Sequence, residues 1–374
     1  MRLAWFCPAA AGATAPLRTA LTLTHDLDVY TMSNAHDFVW TQFRRPYEVS
    51  VFELDNTVAH AFIWPYLVHY GGVLLLSSPT LHDSRARILL AAGRRDDYAA
   101  EFLFNEGHPP GRGQRNTAIP GDWPMLRVPL TTAQTTVVPC RALADALRDA
   151  YAHARIVYAP LVAEEYARRL IPRSSSSAAV VFGMLARDRV EVVARALARA
   201  QGLGARASLA VDACPEDVLA AADVVVTLAS SCNEASLSHA AFAAGMPVIA
   251  LETIFSADWP SLDPQTWRPR GASTDRPIAV TVDLRDEEHS LAVAMRRLSA
   301  DAALRTELGE HARAWSRAHE SAPVAIDAWQ RLLHEAARIE PPPRPPDWPD
   351  HLTADGTEQA RAILAQFGAT VDLF

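Results

Sequence analysis

The sequence predicts an α/β protein built from two doubly wound, Rossmann-like domains facing each other across a cleft, with a helical C-terminal segment. Three observations predict it. The chain has 374 residues, enough for two domains at roughly 100–200 residues each. Short, nearly continuous apolar strands alternate with helical stretches, the pattern of parallel sheets covered on both faces. The alternation also runs twice, divided by the polar run Arg173–Ser177. The expected organisation is therefore an N-terminal domain over 1–172, a second domain over 173–340, and a Pro-rich linker with a final helix over 341–374.

The first series of strands is read at Leu3–Phe6, Asp28–Tyr30, Val49–Leu54, Val73–Leu76, Thr135–Val138 and Arg155–Tyr158. Each is short, apolar or β-branched, and bounded by polar or Gly/Pro residues. Helical spacing of apolar residues is clearest in Ala59–Tyr70, Leu81–Ala92 and Arg141–Tyr151. The second series reads Ala178–Phe182, helix Arg189–Ala200, Ala207–Ala210, helix Pro215–Ala222, Val224–Leu228, helix Ala235–Ala244, Pro247–Ala250 and Ile278–Val282. Three helices follow, Glu287–Leu298, Ala302–Arg317 and Pro323–Ala337. The stretch Pro341–Pro349 breaks helical structure and makes an extended spacer. Thr353–Phe367 reads as one more helix packing back on the body. Doubly wound sheets bind ligands at the carboxyl ends of their strands, so the site is expected in the cleft.

Composition narrows the function classes. Apolar residues make up 49% and charged residues 21%, an ordinary globular mix. Acids outnumber bases 43 to 35, for a net charge of −8, which argues against nucleic acid or an anionic membrane as a partner bound by bulk charge. Every base is Arg, so a phosphate clamp here has to use Arg, backbone amides or a helix N-terminus. Cys7, Cys140, Cys214 and Cys232 lack ligand-like spacing, which predicts no disulfide framework, no structural metal and a reducing, cytoplasmic setting. The start, Met1–Arg18, is read as a first strand rather than a signal peptide, since Pro8 breaks its short apolar run. No apolar stretch approaches the length of a membrane span.

The most informative stretch is Asn233-Glu-Ala-Ser-Leu-Ser-His-Ala-Ala-Phe-Ala-Ala-Gly-Met-Pro-Val-Ile-Ala250. It follows an apolar strand and reads as loop, helix, Gly turn and strand. Glu234 and Ser236 stand where the helix is expected to begin. Free amides and the positive end of the helix dipole favour an anion there. On spacing alone the two residues equally suit a helix cap. The order of elements resembles the donor-binding signature of GT-B glycosyltransferases of the family 4 type, bacterial ones in particular. The resemblance implies that Glu234 contacts the sugar of a nucleotide-sugar donor. It implies that amides at Ala235, Ser236 and Leu237 bind the diphosphate, and that Gly245-Met246-Pro247-Val248 is the turn into the next strand. The family's second acid, eight residues on, has no counterpart; Ala240, Ala241 or Phe242 takes its place.

A second stretch, Val181-Phe-Gly-Met-Leu-Ala-Arg-Asp-Arg189, resembles the family's strand–Gly–loop that carries a basic pair to the donor phosphates. By that resemblance Gly183, Arg187 and Arg189 are phosphate-binding candidates, with Met184 in the first basic place. Planar guanidinium forks suit a diphosphate; surface arginines at a helix start are the alternative. Further likeness runs through Ala35–Trp40, Phe43–Tyr47, Trp64–Leu67, Asp96–Phe102 and Asp283–Leu298, so it extends from about Arg2 to about Leu333. The tail falls outside it.

On the acceptor side the likeness departs. After Val73–Leu76, where such enzymes usually carry His-Asp, the chain reads Ser77-Ser78, followed by His82 and Asp83. A serine hydroxyl cannot act as a general base near neutral pH. His82 is therefore the candidate acid–base group and Asp83 an acceptor-side residue or a helix cap. Pro139-Cys140 stands where His-Ser is frequent, and the Ala9–Ala15 loop keeps Gly12. The cluster Asp283–Glu288 with His289 reads as a solvated acidic first turn rather than a metal site, and His311 and His319 as surface. His108–Pro124 is a Pro/Gly-rich insertion, a lid or a long connection. Together these readings predict a metal-independent, retaining glycosyltransferase without a bound cofactor, taking a nucleotide sugar and an unidentified acceptor. The alternative is a catalytically impaired GT-B protein that binds or scaffolds an active partner.

Overall fold

A computed structural model describes residues 1–110, 123–163, 179–186, 189–229, 231–270, 275–353 and 358–366. Its core is two six-stranded sheets, parallel throughout. The first has the order β2-β1-β3-β4-β5-β6, with β1 Arg2–Phe6, β2 Asp26–Tyr30, β3 Val49–Leu54, β4 Gly72–Leu76, β5 Ala133–Val138 and β6 Ile156–Tyr158. The second has the order β11-β12-β10-β9-β7-β8, with β7 Val180–Leu185, β8 Ala207–Asp212, β9 Val224–Thr227, β10 Val248–Leu251, β11 Ser261–Leu262 and β12 Ala279–Val282. The predicted strands are all present, shifted by a few residues at their ends, and β11 adds one the sequence reading did not place. Central strands such as β4 and β9 are buried at every position, as their unbroken apolar runs require.

Both sheets reverse direction at one internal boundary. The chain runs from β1 outward to β2, then returns to the far side of β1 as β3; it runs from β7 to β8, then returns as β9. Those boundaries are the switch points, where loops diverge and leave a crevice at the carboxyl ends of the strands.

The helices differ from expectation in three ways. Ala59–Tyr70 divides into a 3₁₀ turn at Val58–His60 and a helix at Ile63–Tyr70. Ala15–Leu21, Asp37–Arg44, Arg95–Glu106 and Arg127–Thr132 are additional helices. The helix Cys232–Ala244 begins three residues before the expected start. It ends at Gly245, whose φ of 73° is left-handed, and a Cβ there would lie 2.7 Å from the Arg313 guanidinium.

The chain's return to the first sheet matters most for its architecture. The helix Ala322–Ala336, which the sequence reading put in the second domain, packs against the first sheet. Its Ala325, Trp329, Leu333 and Ala336 share a core with Leu3, Trp5, Val51 and Val73. Trp329 packs on Trp5 with ring centroids 5.3 Å apart and planes tilted by 40°, and it donates its indole N–H to the Pro160 carbonyl at 3.1 Å.

Beyond it the Pro-rich segment stays on this side. Trp348 packs on Phe104 at 5.2 Å, and Arg127 pairs with Asp347 at 3.1 Å. His351 Nε2 lies 2.8 Å from Glu101, a carboxylate with no solvent exposure that also holds Arg85 Nε at 2.7 Å. The final helix is described over Glu358–Gln366, within the expected Thr353–Phe367, and residues 354–357 and 367 lie outside the described residues.

Trp329 is fully buried and spans two covalently distant regions, so Trp329→Ala should cost about 3–5 kcal/mol of stability. Urea unfolding measures this; a loss below about 1 kcal/mol would show that the contact is not integral to the fold.

Candidate functional site in the interdomain cleft

The strand ends at the two switch points define opposing walls. In the first sheet, the β1/β3 boundary carries Glu53, the one charged residue of the strand Val49–Leu54. Its Oε1 accepts from Trp5 Nε1 at 2.5 Å, Thr14 Oγ1 at 2.6 Å and Arg18 Nη1 at 3.0 Å. Burial pushes the Glu53 carboxyl up, while Arg18, Thr14 and Trp5 act in the other direction. Arg18 in turn donates to the carbonyls of Ala9 and Ala10. The loop carrying Gly12 is thus tied from beneath by a buried ion pair. Sequence reading did not single out Glu53 or Arg18; the available signal was one charged residue in the run Val49–Leu54. Gly12 has a φ of 145° and open space around it.

On the facing wall, β9 leads into the Cys232–Ala244 helix. Ser231 is the N-cap, and its hydroxyl accepts from the Glu234 amide at 3.3 Å. Glu234 therefore occupies the third helical position, the acid of a Ser-x-x-Glu capping box. The early start corrects the predicted phosphate cradle. The amides of Ala235, Ser236 and Leu237 are already inside the helix, that of Ala235 bonding to the Ser231 carbonyl at 3.0 Å. A helix leaves only its first few amides open. Here the Cys232 amide donates to the Ser77 carbonyl of the other domain at 2.8 Å. Glu234 and Ser236, two residues apart at about 100° per residue, also point to opposite faces.

The remaining donor-side candidates are spread out. Gly183 lies within β7, where a Cβ would meet that of Ala222 at 2.6 Å, so its bareness admits the neighbouring helix. Arg189 stands after the end of β7 with a φ of 78° and pairs with Glu287. Met184 is buried in the second core. Arg187 lies outside the described residues.

On the acceptor side, Ser77 and Ser78 are buried beyond β4, 4% and 3% exposed, and the Ser77 amide bonds to the Leu54 carbonyl at 3.0 Å. His82 turns away into helix packing, with Nε2 3.0 Å from the Tyr98 hydroxyl and its ring 5.9 Å from Phe102. Asp83 accepts from Asn56 at 3.1 Å, and it is Asn56 that accepts the Ser84 amide at 2.9 Å as a cap.

What the fold does bring together is a stripe along the Cys232 helix: Cys232, Ala235 and His239 line an interdomain cavity of about 260 Å³. Tyr158, Arg141, Asp258 and Trp259 complete much of its wall. Asp258 reaches across the boundary, its Oδ2 accepting the Ala142 amide at 2.7 Å, and burial raises its carboxyl. A smaller cavity beside it adds Ser236 and Ala13. Glu320 lines both, and its Oε1 lies 2.7 Å from His239 Nδ1. Burial alone would depress the imidazole, but the Glu320 carboxylate holds it above its ordinary value. Glu234 is not among the residues lining either of these two cavities. Among the described residues no cluster suits a metal ion, and no helix is long and apolar enough to cross a membrane.

Against this geometry, the fold has clear counterparts among solved structures. Sucrose-phosphate synthase from Thermosynechococcus elongatus superposes with a TM-score of 0.55 at 14% identity, covering 90% of this chain and 98% of that one. WaaG, a glycosyltransferase involved in lipopolysaccharide biosynthesis, gives 0.54 at 14% identity over 88% and 99%. Anabaena Alr3699/HepE, in complex with UDP and glucose, gives 0.53 at 12% identity over 89% and 99%. These likenesses establish the GT-B fold, two parallel sheets with flanking helices and a helical C-terminal segment. No protein-family model and no curated protein sequence matches the chain.

The His239–Glu320 pair makes stability pH-dependent with a definite sign. A raised imidazole contributes fully below about pH 6.5, its ordinary value, and the contribution is lost as pH rises through the folded value. Glu320→Gln should flatten the stability profile above about pH 6.5, as read by denaturant unfolding over a pH series. An unchanged profile would remove this pair as its source.

Proposed function

We propose that the chain transfers a sugar from a nucleoside diphosphate sugar to an acceptor, within the cleft between its two sheets. The observation that carries the reading is the GT-B arrangement itself, with the start of the Cys232 helix set at the carboxyl end of β9 and aimed across at β4. A helix start in that place offers amides and a positive dipole to a diphosphate. In the structure the Cys232 amide is taken by Ser77, so the reading requires the domains to part before the donor enters and to close over it.

In the proposed reaction the diphosphate leaves as charge builds on it. Backbone amides near Ser231–Glu234 and the Arg189 guanidinium, released from Glu287, would stabilise that charge. Glu234 would hold donor hydroxyls. The reaction would proceed with retention and without a metal, as the resemblance implies, and it asks for no protein nucleophile. Domain closure would exclude water, which otherwise consumes the donor.

A second reading has a specific observation behind it. Ser77 and Ser78 supply no acid–base group, the Ser77 carbonyl plugs the helix start, and Arg189 is committed to Glu287. These features fit a catalytically silent GT-B protein that binds an active partner.

Two measurements test the reading. Saturating nucleoside diphosphates, UDP and GDP included, should raise the melting temperature; no shift at millimolar concentration would reject the donor site. Glu234→Gln should lower transfer or donor hydrolysis by about 10- to 100-fold while leaving the fold intact, a loss of roughly 1.4–2.8 kcal/mol. If Glu234 serves only in the capping box, the same change costs at most about 1 kcal/mol of stability and leaves turnover alone.

A further inference from the structure

Two helix N-termini, one from each domain, converge beside the cavity, and each brings a cysteine. Cys140 is the N-cap of the helix Arg141–Ala150, and Cys232 is the first residue of the helix Cys232–Ala244. Both line the 260 Å³ cavity and pack in the same apolar cluster across the domain boundary. Cys140 Sγ also donates to the Ile254 carbonyl at 3.3 Å.

The surroundings divide the labour between the two sulfurs. Helix N-termini favour a thiolate over a thiol. The neighbouring Cys232 thiol holds Cys140 below the ordinary thiol value, and Cys140 with burial pushes Cys232 well above it. The other two cysteines are less reactive: burial raises Cys7 to about 11, and the Glu216 carboxylate raises Cys214. A low thiolate reached from a cavity, with a second thiol on the same cavity wall, is the arrangement that oxidises selectively.

We propose that Cys140 and Cys232 are a peroxide-sensitive dithiol whose disulfide staples the two domains together. The Cys140 thiolate attacks one oxygen of hydrogen peroxide, breaking the O–O bond and leaving a sulfenic acid and, after protonation, water. The Cys232 sulfur then attacks that sulfenic sulfur. Its proton leaves with the displaced hydroxide as a second water. Two thiols are oxidised, one peroxide is reduced, and a thiol reductant reverses the bond. The proposal does not depend on glycosyl transfer.

The test uses the full-length chain treated with hydrogen peroxide, alkylated and mapped without reductant. The expected result is a chain lighter by two hydrogens, with the peptides carrying Cys140 and Cys232 joined and Cys7 and Cys214 still open to alkylation. Dithiothreitol should restore all four thiols. Cys232→Ser should halt the reaction at a dimedone-reactive sulfenic acid on Cys140, and Cys140→Ser should react at least tenfold more slowly. Amide exchange at Cys232 should slow at least tenfold on oxidation, since opening would be blocked. Cys140 gaining oxygen without a cross-link, prior reaction of Cys7 or Cys214, or unchanged exchange in the cross-linked chain would each overturn the proposal. Should the serine variants fail to fold, the wild-type map and exchange data decide alone.

Discussion

The architecture rests on covering one apolar surface. The first sheet buries Leu3, Trp5, Val51 and Val73 on one face, and the segment that covers them comes from the far end of the chain, as Ala325, Trp329 and Leu333. Burial of large apolar side chains is the dominant favourable term in folding. Here that term also decides connectivity, because the second domain is threaded between two pieces of the first. The tail continues the same logic, with Trp348 and His351 filling positions over Phe104 and Glu101.

Much of the fold was legible because parallel strands buried on both faces must be apolar throughout, and runs such as Val73–Leu76 and Val224–Leu228 have few other readings. Short helices were less legible. Ala15–Leu21 and Arg127–Thr132 are too brief for periodicity to show, and the expected Ala59–Tyr70 splits so that Pro65 falls in the first turn of Ile63–Tyr70, where Pro is tolerated. The destination of Ala322–Ala336 could not be read at all, since an amphipathic stripe does not name the sheet it will cover.

At the candidate site the limiting uncertainty was one of register. Placing the helix start at Ala235 instead of Cys232 moved the expected amide donors by almost a full turn. It also hid the stripe of Cys232, Ala235 and His239. Side chains paired across long sequence separations were equally invisible: Glu53 with Arg18, Arg189 with Glu287, His239 with Glu320. In a chain without Lys each of these acids finds an Arg or a His, and planar or aromatic cations suit partly desolvated pairing better than an ammonium does. Arg189 shows the consequence, since a guanidinium suited to phosphate is also suited to the nearest buried carboxylate.

The chain crosses between its domains twice, once after Ala163 and again after Glu320, and both crossings border the same small cavity. Two neighbouring attachment points fix a line, and a body held along a line keeps one easy degree of freedom, rotation about that axis. The opening that the proposed function requires would turn about that line, so the reach of a group from it would set how far a given angle carries it.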